Sequence, residues 1–352
     1  MNMEDPTKPL QFVIAGTGAM ARYHVGRFSG FSGVRFVGCY DRSRQRAEEF
    51  SQEMGIPEAG ADLPEILNRR RVDAVCAAVA DPEHYHVVAG ALDAGTPVFV
   101  EKPFTMTTRE AESIVALQQE RQVPITVNFS KINYPAILGL VYGADYGMVG
   151  APEHLELSYL QSWLVSEVWG EWWNNPRWLW RISSSHGGGG ALRDLGSHLV
   201  YLALRIGGEI VSFDVSTSCE ASRRAAHRSG FSCDMNDTFV INAEHAGGLR
   251  TTIRGSYAAS GHTNTVRARY VGSARTLVAD TGVGSNSMAV HDLSSSSGRV
   301  RHLQFKKVYS TYHSFVDDLR RSRAWDTFSP SASCALDVQR VIELPIHASP
   351  HR

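Results

Sequence analysis

Three short segments of this chain carry residues whose types and spacing suit the movement of a hydride and a proton. The first is Gly16-Thr17-Gly18-Ala19-Met20-Ala21, which follows an apolar run. In such a turn Gly16 permits the tight bend and Gly18 lets backbone amides approach a pyrophosphate. Ala21 stands where a third glycine is usual, a place where close helix–strand packing tolerates only a small side chain. The second segment is Glu101-Lys102-Pro103, at the end of a later apolar run. The third is the glycine-rich stretch from Gly187 to His198, in which Asp194 and His198 are spaced i, i+4 and so share one helix face. Oxidising a secondary alcohol requires a base at the hydroxyl while hydride leaves its carbon. An imidazole ordinarily changes charge near neutrality, so His198 is a residue type that suits that base. Lys102 can hydrogen-bond the same oxygen and stabilise developing charge on it. Asp194 can hold substrate or orient the lysine and histidine.

A second group of residues concerns the nucleotide itself. Asp41 ends the second apolar run, 20 residues after Ala21. A carboxylate there accepts hydrogen bonds from ribose hydroxyls and repels a 2′-phosphate, which favours NAD. Arg42 and Arg44 follow at once, and a guanidinium can pair with that phosphate, so NADP stays open. Gly16, Gly18, Ala19, Met20, Asp41, Arg42, Glu101 and Lys102 form the candidate cofactor set. His86, one turn into a later helix, divides between helix packing and a place on the cofactor side.

The elements that must position these residues can be read from periodicity. Short apolar strands at 11–15, 34–40, 72–79, 97–101 and 124–128 alternate with helices at 19–29, 43–54, 62–69, 82–95 and 107–121. Strands alternating with helices at this spacing imply parallel crossovers and a doubly wound sheet. Beyond residue 130 the pattern changes. A helix is expected over 135–143, an alternating strand over 153–161 and a helix over 188–206. From 210 to 306 the chain reads as strands joined by tight turns, a mostly antiparallel sheet, with serine-rich 294–297 as a hairpin tip. Closing helices are expected at 313–323 and 331–344, the last ended by Pro345. The expected fold class is α/β: a Rossmann-like domain over 1–130, then an α+β domain over 131–352 whose final helices pack back on the first.

Composition narrows the function classes. With 352 residues the chain has room for two cores. Its formal net charge of −1 supplies no basic excess to attract nucleic acid or an anionic membrane. The five cysteines form no C-x-x-C pair, which suggests a reducing compartment. Cys219, His227 and Cys233 lack zinc-ligand spacing, so no metal is expected. The N-terminal stretch lacks a signal-peptide pattern and no apolar run reaches membrane length, so a cytoplasmic protein is expected.

Taken in order, GTGAMA at 16–21, EKP at 101–103, VNFSKINYP at 127–135 and GGGGALRDLGSH at 187–198 resemble the Gfo/Idh/MocA family, which includes glucose–fructose oxidoreductase and inositol dehydrogenase. The resemblance extends over nearly the whole chain. It implies a Rossmann domain followed by a large, open, mostly antiparallel sheet, and activity on sugars, cyclitols and related polyols. It also implies homo-oligomers, a homodimer or homotetramer formed through the C-terminal sheet. In the family the lysine of EKP and the aspartate and histidine of D-x-x-x-H line the substrate site; here these are Lys102, Asp194 and His198. Ala80-Asp81-Pro82 departs from the usual Thr-Pro or Thr-Asn step. Lys131 replaces a common arginine, keeping the charge but losing the bidentate fork, and is a candidate for contact with substrate hydroxyls.

Six of the seven tryptophans lie between 163 and 180. Aromatic faces stack on sugar rings, and Trp172, Trp173 and Arg181 are candidate substrate contacts. A cover over the sheet or a subunit interface would use tryptophan equally well. The expected activity is therefore an NAD(P)-dependent oxidoreductase acting on a sugar, cyclitol or glycoside hydroxyl. An NAD-dependent glycosidase that oxidises a ring hydroxyl transiently is the alternative in chemistry. A cofactor-binding regulatory protein without turnover is the alternative in class. If Asp41 selects NAD, Asp41→Ala should weaken NAD binding and narrow the gap to NADP in a titration. A wild-type protein that binds NADP at least as tightly as NAD would overturn that assignment.

Overall fold

The computed structural model describes residues 9–282, 287–292, 299–305, 309–321 and 330–343; the expected serine-rich tip at 294–297 and the stop at Pro345 lie outside them. The chain forms two compact units. One takes in the residues up to Phe129 together with the returning segment Tyr309–Arg340, and the other begins at Ser130.

In the first unit, strands β1 (Leu10–Ala15), β2 (Val34–Tyr40), β3 (Ala59–Gly60), β4 (Ala74–Ala77), β5 (Val98–Val100) and β6 (Ile125–Val127) alternate with helices α1 (Ala19–Ser29), α2 (Arg44–Met54), α3 (Leu63–Arg69), α4 (His84–Asp93) and α5 (Thr108–Arg121). All strand pairs are parallel and the order is β3-β2-β1-β4-β5-β6. The order reverses between β1 and β4, which creates a crevice at the carboxyl end of β1, where Gly16 stands. The two-residue β3 is too short to show a period in the sequence.

Local chemistry fixes the helix ends. Ser43 caps α2 by accepting from the Arg46 amide, and α2 stops at Gly55 in the left-handed region, φ 67°. Thr107 and Glu110 form a reciprocal capping box at the start of α5. The core of the unit is aromatic. The Phe28 ring lies 5.0 Å from Phe12, 5.1 Å from Phe99, 4.9 Å from Tyr312 and 6.1 Å from Phe315 between ring centroids. Tyr312 and Phe315 come from the returning segment, on helix α10 (Thr311–Arg321), which precedes α11 (Ala332–Ile342) in the chain. These rings pack edge to face around Phe28, the arrangement that aromatic quadrupoles favour.

The second unit is built on eight strands: β7 (Pro152–Leu160), β8 (Ile210–Ser218), β9 (Thr238–His245), β10 (Arg250–Ser256), β11 (Thr265–Gly272), β12 (Arg275–Asp280), β13 (Ser287–Asp292) and β14 (Arg299–Gln304). Their order is β14-β13-β12-β11-β7-β10-β9-β8, with β7 and β10 parallel and the other pairs antiparallel. Burial alternates along β9 and β10, so one face of the sheet is covered and the other is open. Helix α6 (Pro135–Asp145) packs against β12 and β13, and α8 (Ser197–Gly207) packs against β7. The short α7 (Pro176–Leu179) lies in the tryptophan segment.

Two features of this unit differ from the sequence expectation. A helix, α9 (Glu220–Ser229), interrupts the stretch read as strands. Its sequence EASRRAAHRS is rich in strong helix formers and closes on Gly230 in the left-handed region, φ 66°. The helix expected over 188–206 is not uniform either. Leu192–Gly196 is a single π-helical turn, and α8 begins only at Ser197. The π turn widens the helix where Asp194 sits, a device that recurs at functional sites.

Because Phe28 is fully buried at the centre of the aromatic cluster, Phe28→Ala should cost about 3–5 kcal/mol. Urea unfolding of the variant checks this; a loss well under about 1 kcal/mol would show that the cluster does not hold the first unit together.

Candidate functional site

The crevice beside Gly16 is shaped for a ligand backbone rather than for a side chain. Gly16 has φ 100°, and a Cβ there would collide with the Ala78 carbonyl just past β4. Gly18 is the N-cap of α1, has no side-chain cap, and a Cβ on it would meet nothing within 4 Å. The α1 N-terminus at Ala19 and Met20 therefore presents amides and the positive end of the helix dipole to open space, an arrangement that fits a dinucleotide pyrophosphate.

Asp41, at the end of β2, is bound from three directions. Oδ1 accepts from the Ser43 amide at 2.9 Å and from Arg46 Nε and Nη2 at 3.1 and 2.7 Å, while Oδ2 accepts from the Thr17 hydroxyl at 2.7 Å. Burial opposes its charge, but the Ser43 amide, the Thr17 hydroxyl and the Arg46 guanidinium outweigh it and hold the carboxyl below its ordinary range. Arg42 and Arg44 turn elsewhere, to Glu83 at 2.7 Å and Glu48 at 2.9 Å. The sequence drew attention to those two arginines; the arginine on Asp41 is Arg46, further along the same helix start. An i, i+5 relation across a helix start carries no pattern that would have revealed it.

Glu101 closes β5 and is 9% exposed. Its Oε1 lies 3.0 Å from His24 Nε2 and accepts from Asn128 Nδ2 at 2.7 Å, and its Oε2 accepts from the Lys102 amide at 3.2 Å. Burial raises its pKa, but His24, Lys102 and Asn128 prevail and hold it below the usual carboxylate range. The network continues inward. The Tyr312 hydroxyl is 2.9 Å from His24 Nδ1, and the Thr311 hydroxyl donates to Asn128 Oδ1 at 3.0 Å. Glu101 is thus a buried strut beneath Lys102 rather than an open contact, with partners from α1 and from the end of β6 that α10 holds in turn. His24 had a legible signal, three residues after Ala21 on the same buried helix face. Tyr312 and Thr311, so distant in sequence, had none.

The histidine expected on the cofactor side, His86, is exposed, its ring 5.4 Å from Tyr85. The buried His84 is the one that engages the EKP segment, with Nδ1 2.7 Å from the Pro103 carbonyl oxygen. The Lys102–Pro103 bond is cis.

In the second unit the glycine run is held by Asn236. Its carbonyl accepts from the Ala191 amide at 2.9 Å and its Oδ1 from the Leu192 amide at 2.8 Å. Gly190 has φ 69°, and a Cβ there would lie 2.5 Å from the Asn236 carbonyl oxygen. Only glycine fits at that approach, and the π turn starts two residues on. Asp194 then accepts from the Tyr257 hydroxyl at 2.8 Å, with Arg181 Nε 3.6 Å from the same oxygen. Burial, with the Asp194 charge behind it, pushes the Tyr257 phenol far up, so it stays a donor.

His198 is buried on α8, its ring 6.1 Å from that of Tyr159. Around Tyr159 lies a polar group that the sequence did not announce. Its hydroxyl donates to Asn264 Oδ1 at 2.6 Å and accepts from Gln161 Nε2 at 3.2 Å. The Lys131 ammonium lies 4.9 Å from the Tyr159 ring centre and 5.2 Å from that of Tyr134. The structure therefore brings Lys131 and His198 to one tyrosine. β7 and the turn before β11 supply the groups that sequence spacing could not place.

The tryptophan segment is largely a packed layer. Trp163 is fully buried, stacked on Trp169 at 6.2 Å and set 5.0 Å from Tyr257. Trp172, expected to touch substrate, is 3% exposed and meets Trp163 edge-on at 5.8 Å, so its ring supports the layer behind Tyr257 instead. Large aromatic area gains more from burial than from partial exposure. Trp173 is half-buried against Trp172, and the Arg181 guanidinium lies over Trp178 and Trp180 at 5.0 and 4.9 Å. Among the described residues no cluster of three or more His, Cys, Asp or Glu is placed to hold a metal ion, and no helix is long and apolar enough to cross a membrane.

Breaking the buried network by Glu101→Ala should destabilise the protein by about 3–5 kcal/mol, because His24 and Asn128 lose their shared acceptor. The pH dependence has a definite sign. The folded pKa of Glu101 lies below its unfolded value, so its contribution is present above about pH 4.3 and is lost as pH falls through the folded value. Glu101→Gln should flatten that acid limb in urea unfolding measured against pH. An acid limb identical to wild type would show that the carboxylate is not held this way.

Comparison with known proteins follows the same division. The family profile described as "Oxidoreductase family, NAD-binding Rossmann fold" matches residues 10–129, and that of the "GFO/IDH/MocA C-terminal domain" matches residues 144–278. The UDP-N-acetylglucosamine 3-dehydrogenase of Acidithiobacillus ferrooxidans is 31% identical over 150 residues, 42% of this chain and 44% of that protein. The D-apiose dehydrogenase of Paraburkholderia graminis is 24% identical over 251 residues, 71% of this chain and 61% of that protein. The matched stretches thus span less than two thirds of those relatives' own length. A levoglucosan dehydrogenase solved with NADH and levoglucosan shares the fold at TM-score 0.82 and 18% identity, over 95% of each chain. With both profiles matched in order and the two sheets in place, the chain belongs to the GFO/IDH/MocA family of NAD-binding oxidoreductases.

Proposed function

We propose that this protein is an NAD-dependent dehydrogenase that oxidises a secondary hydroxyl of a sugar, cyclitol or glycoside. The observation that carries the reading is the grouping of His198, Lys131, Tyr159, Asn264 and Gln161, with Asp194 held by Tyr257 in the same unit. Amide, phenol and ammonium groups in that density recognise hydroxyls by donating and accepting at once. The relatives named for action on a nucleotide sugar and on apiose support the substrate class.

The nicotinamide, when bound, supplies the hydride acceptor. The remaining work falls to the chain. The α1 amides receive the pyrophosphate, and Asp41 accepts from ribose. In this reading Lys102 donates to the reacting oxygen and favours its loss of a proton, and the His198 imidazole takes that proton. Tyr257 keeps its own proton and, by donating to Asp194, fixes the carboxylate that orients substrate. Trp173 and Arg181 remain candidates for the sugar's outer face. The same reading places homo-oligomer formation on the sheet of the second unit, whose edge strand β8 exposes Val211 and Phe213.

Lys102→Ala and His198→Ala should each cut turnover roughly 10²–10⁴-fold while leaving NAD affinity nearly intact. The assay is NAD reduction over a panel of polyols, aldoses and glycosides. Net NADH identifies the dehydrogenase. Leaving-group release without net NADH would identify the glycosidase, and NAD binding with no turnover across the panel would favour a regulatory protein. Near wild-type rates in both variants would remove the proposed chemistry.

A further inference from the structure

We infer that Arg46 is a cofactor-specificity residue: by pairing with Asp41 it makes the adenosine end of the site tolerant of a 2′-phosphate, so that the protein binds NADP as well as NAD. The inference rests on the reading that the α1 turn holds a dinucleotide, and it deepens that reading.

The argument is one of charge and reach. A lone carboxylate at the end of β2 excludes a 2′-phosphate by repulsion. Here the carboxylate is not alone, since Arg46 approaches Oδ1 through both Nε and Nη2 at 3.1 and 2.7 Å. Oδ1 also takes the Ser43 amide, so one oxygen of Asp41 already serves three donors. Pairing both carboxylate oxygens with a ribose diol therefore requires Arg46 to yield its place. A phosphate needs no such exchange, because it can meet the guanidinium directly.

Reach differs sharply between the two partners. The Asp41 side chain is 11% exposed, whereas that of Arg46 is 60% exposed. Asp41 is fixed by the fold, while Arg46 is tethered by a solvent-facing ion pair, which costs little to rearrange. Three other arginines near this crevice are committed away from Asp41: Arg22 to Glu53, Arg42 to Glu83 and Arg44 to Glu48. Arg46 is the arginine that pairs with the Asp41 carboxylate. Thr17 adds a hydroxyl donor, 2.7 Å from Asp41 Oδ2, that can turn to a phosphate oxygen. A guanidinium in this position suits phosphate better than an ammonium, because its planar fork can meet two oxygens together.

Calorimetric titration of the full chain with NAD and with NADP tests this without any substrate. Wild type should bind both measurably. Arg46→Ala should weaken NADP roughly ten- to a hundredfold, the scale of one charge-assisted contact, while NAD affinity holds or improves. Arg46→Lys should recover part of the NADP affinity, and the NADP advantage of wild type over Arg46→Ala should shrink at high salt. The inference is overturned if wild type binds NAD but not NADP. It is equally overturned if Arg46→Ala weakens both dinucleotides alike, since Arg46 would then only hold Asp41 in place, or if it changes neither. A wild-type protein that binds neither dinucleotide defeats the underlying cofactor reading as well, which separates that failure from the others.

Discussion

The carboxylate of Glu101 is the constraint on which the first unit is arranged. It follows a strand whose residues are fully buried, and it is held ionised there. A buried charge is costly unless each lone pair finds a donor. His24, Asn128 and the Lys102 amide meet that requirement, and each comes from a different place: the helix after the dinucleotide turn, the end of the sixth strand, and the next residue of the chain. Tyr312 and Thr311 extend the network to α10. The aromatic core assembled around Phe28 and Phe99 lies directly against it, so packing and polar satisfaction enforce the same geometry. The position of the Lys102 backbone is a consequence.

The second unit solves a similar problem with different means. Its helix begins in a glycine run, and glycine alone specifies little. Asn236 supplies the missing information by accepting from two successive amides at the start of the turn. The wide π turn that follows carries Asp194 to Tyr257, and Tyr257 is in turn backed by Trp163, on which the buried Trp172 packs. The tryptophan layer thus reaches Asp194 through a tyrosine. Its abundance near the D-x-x-x-H motif has a packing cause, and only its half-buried members stay candidates for sugar contact.

At the end of β2 the constraint is softer. Asp41 is fixed by Ser43 and Thr17, while its third partner is a long, exposed arginine. Where one partner is rigid and the other is held by a surface ion pair, the charge presented to a ligand depends on which state the ligand rewards. On the inference drawn above, cofactor preference is a balance rather than a consequence of one residue type.

The amino-acid sequence by itself determined the alternation of strand and helix through residue 128, the glycine turn at 16–18 and the family, because these are local: period, turn chemistry and motif order lie within a few residues of one another. It also offered Lys102, Asp194 and His198 as candidates for the chemistry, the roles proposed for them above. It misread 220–229, where a helix of strong formers sits inside a run of strands, and it gave no sign that Arg46 pairs with Asp41 or that His84 meets the Pro103 carbonyl. The tertiary structure alone decided what those residues touch. Glu101 meets Asn128, Asp194 meets Tyr257, and Tyr159 meets Asn264 across 27, 63 and 105 residues of separation. Hydrogen bonds and ring contacts act over a few ångströms in space, and nothing in the order of residues records which distant segments folding will bring that close.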